Sequence, residues 1–262
     1  MTNVFDAYLS RHAAALGNRN PLLIIASVGA SLGADEDVGL PLYATAGLVG
    51  TIFSWSLVRN ILGIDSVWGS GFRDIGNVGL DMIMLWVLTC AIESSLKLIF
   101  RRPRPTLRTK ASLPGDIFSF PSGHTMRGFY YYVPYLFTSR YVEKALGASP
   151  PIGFLPLALL AALLTGFSRI ARLRHWPTDV LAGGLIGCLL GFYFERCVSQ
   201  QTRLYVFGMG MLWAMFVTVA QYSPVARREF CTTKPSTEWT LFVFLAAMCF
   251  WLYTDDSVQI FH

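Results

Sequence analysis

Only 14% of the 262 residues are charged while 53% are hydrophobic, against about 25% charged in a soluble domain, so the composition is that of a membrane protein. The net charge of +5 does not point to nucleic acid, because the basic residues cluster between apolar segments and form no solvated basic domain. Five cysteines, Cys90, Cys188, Cys197, Cys231 and Cys249, show no CxxC or Cys/His ligand spacing, which argues against a zinc site and a disulfide framework.

In chain order, "MTNVFDAYLSRHAAALGNRN" has no charged-then-apolar run ending in a cleavage site, so no removable signal peptide is expected. Val4, Phe5, Tyr8 and Leu9 recur at helical spacing and predict a short helix lying on the membrane surface. The next apolar run, 22–33, is too short to span and ends in the acidic "ADEDV"; it reads as interfacial or re-entrant. A crossing needs about 20 mostly apolar residues. Candidates are 39–62, 77–98, 124–141, 151–170, 177–196, 203–221 and 238–253. The last is short, so six and seven crossings both stay open. The expected fold is an all-α, polytopic membrane helical bundle. It divides into an N-terminal interfacial segment (1–38), a membrane-embedded domain (39–221), and a C-terminal loop with a last transmembrane helix (222–262).

Three polar clusters interrupt the apolar spans. "KLIFRRPRP" (Lys97 to Pro105) closes the second span, and "FPSGHTMRG" (Phe120 to Gly128) opens the third. "SRIARLRHWPTD" (Ser168 to Asp179) closes the fourth and opens the fifth. Going out by one helix and back by the next returns the chain to one face, so all three clusters are expected on the same side. Ionisable groups at the edge of a hydrocarbon layer are expensive and need a reason to be there.

Lys97, Arg104 and Arg169 stand at span ends without obvious matching carboxylates, a pattern suited to an anion; phosphate fits the arginine fork bidentately. Arg101, Arg102, Arg108 and Lys110 read instead as snorkelling interfacial charges. Ser122 and Gly123 form a small turn whose backbone N–H groups can approach an anion at a helix start. His124 follows, placed to pass a proton. His175 and Asp179 are four apart, with Pro177 suited to a first helical turn. Asp179 can then reach back to one ring nitrogen and leave the other as a nucleophile. A capping carboxylate beside a bystander histidine would give the same local pattern.

Together the clusters read Lys97-x6-Arg104-Pro105, Pro121-Ser122-Gly123-His124 and Ser168-Arg169-x5-His175-x3-Asp179. This resembles the three-part signature of the type 2 phosphatidic acid phosphatases, or lipid phosphate phosphatases. The resemblance implies that His175 attacks phosphorus to form a phosphohistidine, with Asp179 holding its ring. His124 would protonate the leaving alkoxide and later activate water. Lys97, Arg104, Arg169 and the Ser122–Gly123 turn would hold the phosphoryl oxygens. No metal or other cofactor is implied, and the expected partners are a lipid phosphate substrate and membrane lipids.

A lipid phosphotransferase using the same histidine is the alternative enzyme. A non-enzymatic phospholipid binder or transporter would not need the His175, Asp179 and His124 trio. "PSGH" differs from the "PSTH" of sphingoid-base phosphatases, and "SFPSGHTMRG" resembles the branch that includes isoprenoid diphosphate phosphatases. Lysine and arginine are in excess on the motif side, which predicts a cytosol-facing site. The endoplasmic reticulum or another endomembrane is the expected location, with the plasma membrane as the alternative.

Overall fold

Among the residues described by the structure, a computed structural model, three helical stretches are long and apolar enough to cross a membrane: Asp74–Lys97, Ile152–Ala171 and Pro177–Glu195. The described residues are 4–34, 39–54, 66–106 and 118–197, with isolated positions 61, 63, 208, 209 and 212. The expected crossing at 238–253 and the segment 222–262 lie outside the described residues, as does the crossing at 203–221 apart from positions 208, 209 and 212. Apart from one isolated bridge between Pro103 and Phe118, the described secondary structure is helical.

Helices α1 (Val4–Arg19) and α2 (Pro21–Ser31) follow one another directly, with Pro21 in the first turn of α2. Proline suits that position because the amide it lacks would be unpaired there anyway. Helix α3 (Gly39–Ser54) packs along α4 (Ser66–Phe100), a 35-residue helix. The span expected at 77–98 is therefore the inner part of a longer element. Helix α5 (Gly123–Tyr130) continues through a π-turn, Tyr131–Tyr135, to Leu136–Thr138. Pro134 lies in that turn; it has no N–H for the helical ladder and locally widens the coil.

The chain then bends at Ser139 into α6 (Arg140–Leu146), which ends at Gly147 with φ 69°, a left-handed cap that glycine adopts without strain. Lys144 of α6 pairs with Asp74 of α4 at 2.5 Å. Asp74 is 23 residues before Lys97, about 35 Å along a helix, so this ion pair lies at the end of the bundle remote from the polar clusters. Helices α7 (Leu155–Ala171) and α8 (Pro177–Cys197) complete the described bundle.

The interior between α3, α4 and α5 is largely aromatic, built from Trp86, Tyr130, Tyr131 and Tyr135 with Met82 and Leu85. Tyr131 meets Tyr43 and Tyr130 edge-on, at centroid distances of 5.5 and 5.7 Å, the geometry that ring quadrupoles favour. Leu157, Leu160 and Leu163 of α7, and Leu181, Leu185 and Leu189 of α8, are exposed. Their three- and four-residue spacing gathers them on one face of each helix, where hydrocarbon is the natural solvent.

Helix α5 lies tight against α8. A Cβ on Gly183 would come within 2.5 Å of the Ser122 carbonyl, and one on Gly187 would overlap the Met126 carbonyl. Small residues that let backbones touch are the usual device for helix association in lipid, where the hydrophobic effect gives no drive. The N-terminal helix reverses the simplest expectation for an interfacial helix. Its Val4, Phe5 and Tyr8 are exposed, and the residues it buries are Asp6, Ser10 and Gly17.

Candidate active site

Helix α4 ends where Arg101 turns into the left-handed region, φ 44°, and the chain from 101 to 106 runs across the end of the bundle. Backbone and side chain stitch it down: Ser119 N–H donates to the Arg102 carbonyl at 2.8 Å, and Trp176 Nε1–H to the Pro103 carbonyl at 2.8 Å. Arg104 Nη1 donates to the Arg174 carbonyl at 3.3 Å, and Thr106 Oγ1 to the Leu173 carbonyl at 2.9 Å. Helix α7 closes with a tight reversal in which the N–H groups of Arg174 and His175 both donate to the Arg169 carbonyl, at 2.9 and 3.3 Å. The start of α5 is tied in as Ser122 N–H donates to the Asp179 carbonyl at 3.1 Å. The three clusters are one connected unit.

His175 sits at the centre of that unit, 2% exposed. Its Nδ1 lies 2.7 Å from the Ser119 carbonyl. A carbonyl oxygen can only accept, so Nδ1 carries the proton and Nε2 keeps its lone pair. Burial pushes the His175 pKa well below its ordinary value of 6.5, and the charges of Arg104, Lys97 and Arg169 push it further; the bond to Ser119 opposes them. The three cations singled out in the sequence therefore all act on one imidazole.

Asp179 is placed differently from expectation. Its Oδ2 is 4.0 Å from His175 Nδ1, beyond hydrogen-bond distance. That oxygen accepts instead from the Trp176 backbone N–H at 2.8 Å, and Oδ1 accepts from Arg102 at 2.7 Å. A backbone carbonyl, that of Ser119, fills the ring-holding position given to Asp179 on the sequence. Ser122 also departs from expectation. Its amide is engaged by Asp179, and its side chain caps α5, 3.5 Å from Thr125 N and 2.8 Å from Thr125 Oγ1.

Lys97 is 3% exposed and pairs with Glu93 one helical turn back, so this cation does have a matching carboxylate. Glu93 also accepts from Arg127 at 3.3 Å. Arg127 is fully buried, with its guanidinium 4.3 Å from the Trp86 ring centroid and its Nε donating to the Ala34 carbonyl at 3.2 Å. Gly123 is needed because Glu93 presses on it: a Cβ there would overlap the carboxylate. His124, the second residue of α5, is half-buried and within electrostatic reach of Glu93.

Glu93 was missed in the sequence, although an acid four residues before Lys97 inside an apolar span was a visible sign. Arg102, read as a snorkelling charge, is mostly buried. It pairs with Asp6 and Asp179 and lies over the Trp176 ring, 5.6 Å from its centroid. The physical reason is that two acids from different helices face it across the bundle end. Arg101 is exposed, as an interfacial charge should be; Arg108 and Lys110 lie outside the described residues. Among the described residues, no three His, Cys, Asp or Glu side chains are grouped to hold a metal ion.

Residues 79–203 match the PAP2 superfamily profile. The chain is 35% identical over 149 residues to an undecaprenyl-diphosphatase of Bacillus subtilis, covering 55% of this chain and 70% of that protein. It is 32% identical over 121 residues to a probable lipid phosphate phosphatase beta of Arabidopsis thaliana, covering 38% of this chain and 56% of that protein. A third relative, an undecaprenyl-diphosphatase of Sulfolobus acidocaldarius, is 26% identical over 126 residues, 46% of this chain and 55% of that protein. Thus the chain spans just over half the length of the last two. A solved PAP2-type phosphatidylglycerolphosphate phosphatase of Bacillus subtilis superposes with a TM-score of 0.49 at 24% identity, covering 76% of this chain and 90% of that one. The profile takes in all three polar clusters, and one relative above 30% identity is aligned over more than two thirds of its own length; this chain belongs to the PAP2 superfamily of phosphatases.

Proposed function

We propose that the protein is a metal-independent membrane phosphatase that cleaves a lipid phosphate monoester or diphosphate through a phosphohistidine on His175. The observation that carries this reading is the 2.7 Å contact of His175 Nδ1 with the Ser119 carbonyl, which leaves Nε2 as the free ring nitrogen of an imidazole in the field of Arg104, Lys97 and Arg169. A neutral imidazole is nucleophilic at physiological pH, and cations around it stabilise the charge that builds on the transferring phosphoryl group.

In the first step Nε2 forms a bond to phosphorus as the bond to the leaving oxygen breaks, and His124 gives that oxygen its proton. For a diphosphate the broken bond is the bridging one, and a lipid monophosphate departs. Water then attacks the phosphohistidine, His124 takes back a proton, and inorganic phosphate leaves. Asp179 acts on His175 through the loop: by accepting from the Trp176 amide it fixes the turn that presents the ring. The capping bond of Ser122 sets the start of α5, and so the position of Gly123 and His124.

The first substrate class to test is an isoprenoid diphosphate. Two relatives carry the name undecaprenyl-diphosphatase, in agreement with the "SFPSGHTMRG" resemblance. The experiment is phosphate release from a polyisoprenyl diphosphate, phosphatidate and sphingosine phosphate, each with and without an added lipid alcohol. Release from the diphosphate above the other two is expected. Transfer to the alcohol in place of release would make the protein a phosphotransferase, and no turnover of any substrate would refute the reading.

A further inference from the structure

The N-terminal helix lies outside the matched family region of 79–203, yet one of its acids reaches the proposed active site. Asp6 is 1% exposed. Its Oδ1 accepts from Thr178 N–H at 3.1 Å, and its Oδ2 accepts from Thr178 Oγ1 at 2.8 Å and from Arg102 Nη2. A residue 172 positions away in the chain thus supplies a carboxylate to the first turn of α8, where helical N–H groups lack partners and negative charge is favoured. The other guanidinium nitrogen of Arg102 donates to Thr178 Oγ1 at 2.5 Å and to Asp179 Oδ1 at 2.7 Å. Thr178 and Asp179 are the third and fourth residues after His175, and Asp179 in turn holds the Trp176 amide. Every polar bond recorded for Asp6 therefore ends on the segment that presents the nucleophile, or on the arginine that braces it.

We propose that Asp6 is a positioning residue for phosphoryl transfer, acting through Arg102 and Thr178 to hold the first turn of α8 and the His175 loop in register. The proposal rests on the phosphatase reading above. It makes the N-terminal helix a working part of the site rather than a surface anchor alone. A displacement of about 1 Å in a reacting group can cost on the order of a hundredfold in rate, whereas ground-state binding by Lys97, Arg104 and Arg169 would be little changed. The expected signature is consequently a loss in kcat with KM nearly kept.

The test uses the full chain in detergent micelles, with Asp6→Asn, Asp6→Ala, Asp6→Glu, Arg102→Ala and the Asp6→Asn/Arg102→Ala pair. Phosphate release gives kcat and KM, orthovanadate binding is followed by tryptophan fluorescence, and thermal melting reports the folded state. Folded Asp6→Asn and Asp6→Ala should lose about tenfold to a hundredfold in kcat with KM within threefold, and Asp6→Glu should recover part of it. Vanadate, which resembles the five-coordinate transition state, should bind more weakly to Asp6→Asn. The double variant should lose less than the product of the single losses, because both residues act along one path.

Turnover and vanadate binding within twofold of wild type in folded Asp6→Asn would overturn the proposal, as would losses that simply multiply. Failure of Asp6→Asn to fold would overturn it too, by assigning the carboxylate to stability alone. A wild-type protein that neither releases phosphate nor binds vanadate would instead refute the phosphatase reading. If wild type binds vanadate without turning over the tested lipids, the vanadate comparison alone decides the role of Asp6.

Discussion

Gly123→Ala adds one methyl group at the most crowded contact of the proposed site. The new Cβ overlaps the Glu93 carboxylate, whose side chain is 13% exposed and gripped by Lys97 on one side and Arg127 on the other. Moving the carboxylate away would open a buried ion pair, and breaking such a pair costs about 3–5 kcal/mol. Shifting the start of α5 is cheaper, since overpacking by a methyl group typically costs about 1–3 kcal/mol of stability. That shift moves His124, and a displacement of about 1 Å in a reacting group can cost on the order of a hundredfold in rate. Turnover should therefore fall by about tenfold to a hundredfold, with a lowered melting temperature. The assay is phosphate release from a polyisoprenyl diphosphate, with thermal melting measured alongside. Gly153→Ala serves as the control, because nothing lies within 4 Å of a Cβ at that position. Turnover of Gly123→Ala within twofold of wild type would refute the packing argument.

His175→Ala should fold, insert and show no turnover, while His124→Ala should accumulate an acid-labile phosphoenzyme; equal labelling of both would contradict the division of roles. Arg104→Lys should lose about 10²–10³ in turnover despite keeping its charge, because an ammonium cannot match the guanidinium fork at two phosphoryl oxygens. Near-normal rates would make Arg104 a surface charge. His175, with its folded pKa well below the ordinary 6.5, should take up its proton only at a lower pH than an ordinary histidine does. Its contribution to stability is then present above pH 6.5 and is lost as pH falls toward the folded pKa, because the unfolded chain takes up a proton that the native state refuses. Nitrogen shifts of labelled histidine in micelles would check this, and protonation of His175 above pH 6.5 would disprove it.

The spans expected at 77–98, 151–170 and 177–196 were legible because hydropathy and length respond to a single constraint, the thickness of the hydrocarbon layer. The one expected at 124–141 is interrupted, since the helical run from Gly123 stops at Thr138 and the chain bends at Ser139. The convergence of Lys97, Arg104, Arg169 and His175 followed from counting crossings, which needs no side-chain detail. The partner of His175 was not legible in the same way. The Ser119 carbonyl is a backbone atom, and no residue type marks it. Arg102 was misread because Asp6 and Asp179 lie 96 and 77 positions away, and periodicity within one helix is blind to such pairs. Pro134 was a visible sign of the widened turn in α5. Its effect on which tyrosines face inward depends on the local coil, which a list of apolar residues does not contain.

The tight seam between α5 and α8 also bears on where a long substrate chain can go. With the glycines of α8 against the Ser122 and Met126 carbonyls, no gap as wide as a hydrocarbon chain is left between these two helices. A polyisoprenyl tail whose phosphate sits at His175 must therefore leave the protein by another flank. A photoreactive group on the tail should label α4 or α7 and spare the facing residues of α5 and α8; labelling in that seam would mean that the two helices part when the lipid enters. The same seam that fixes His124 relative to His175 would thus act as a wall, sending the tail sideways into the bilayer while its phosphate stays at the bundle end.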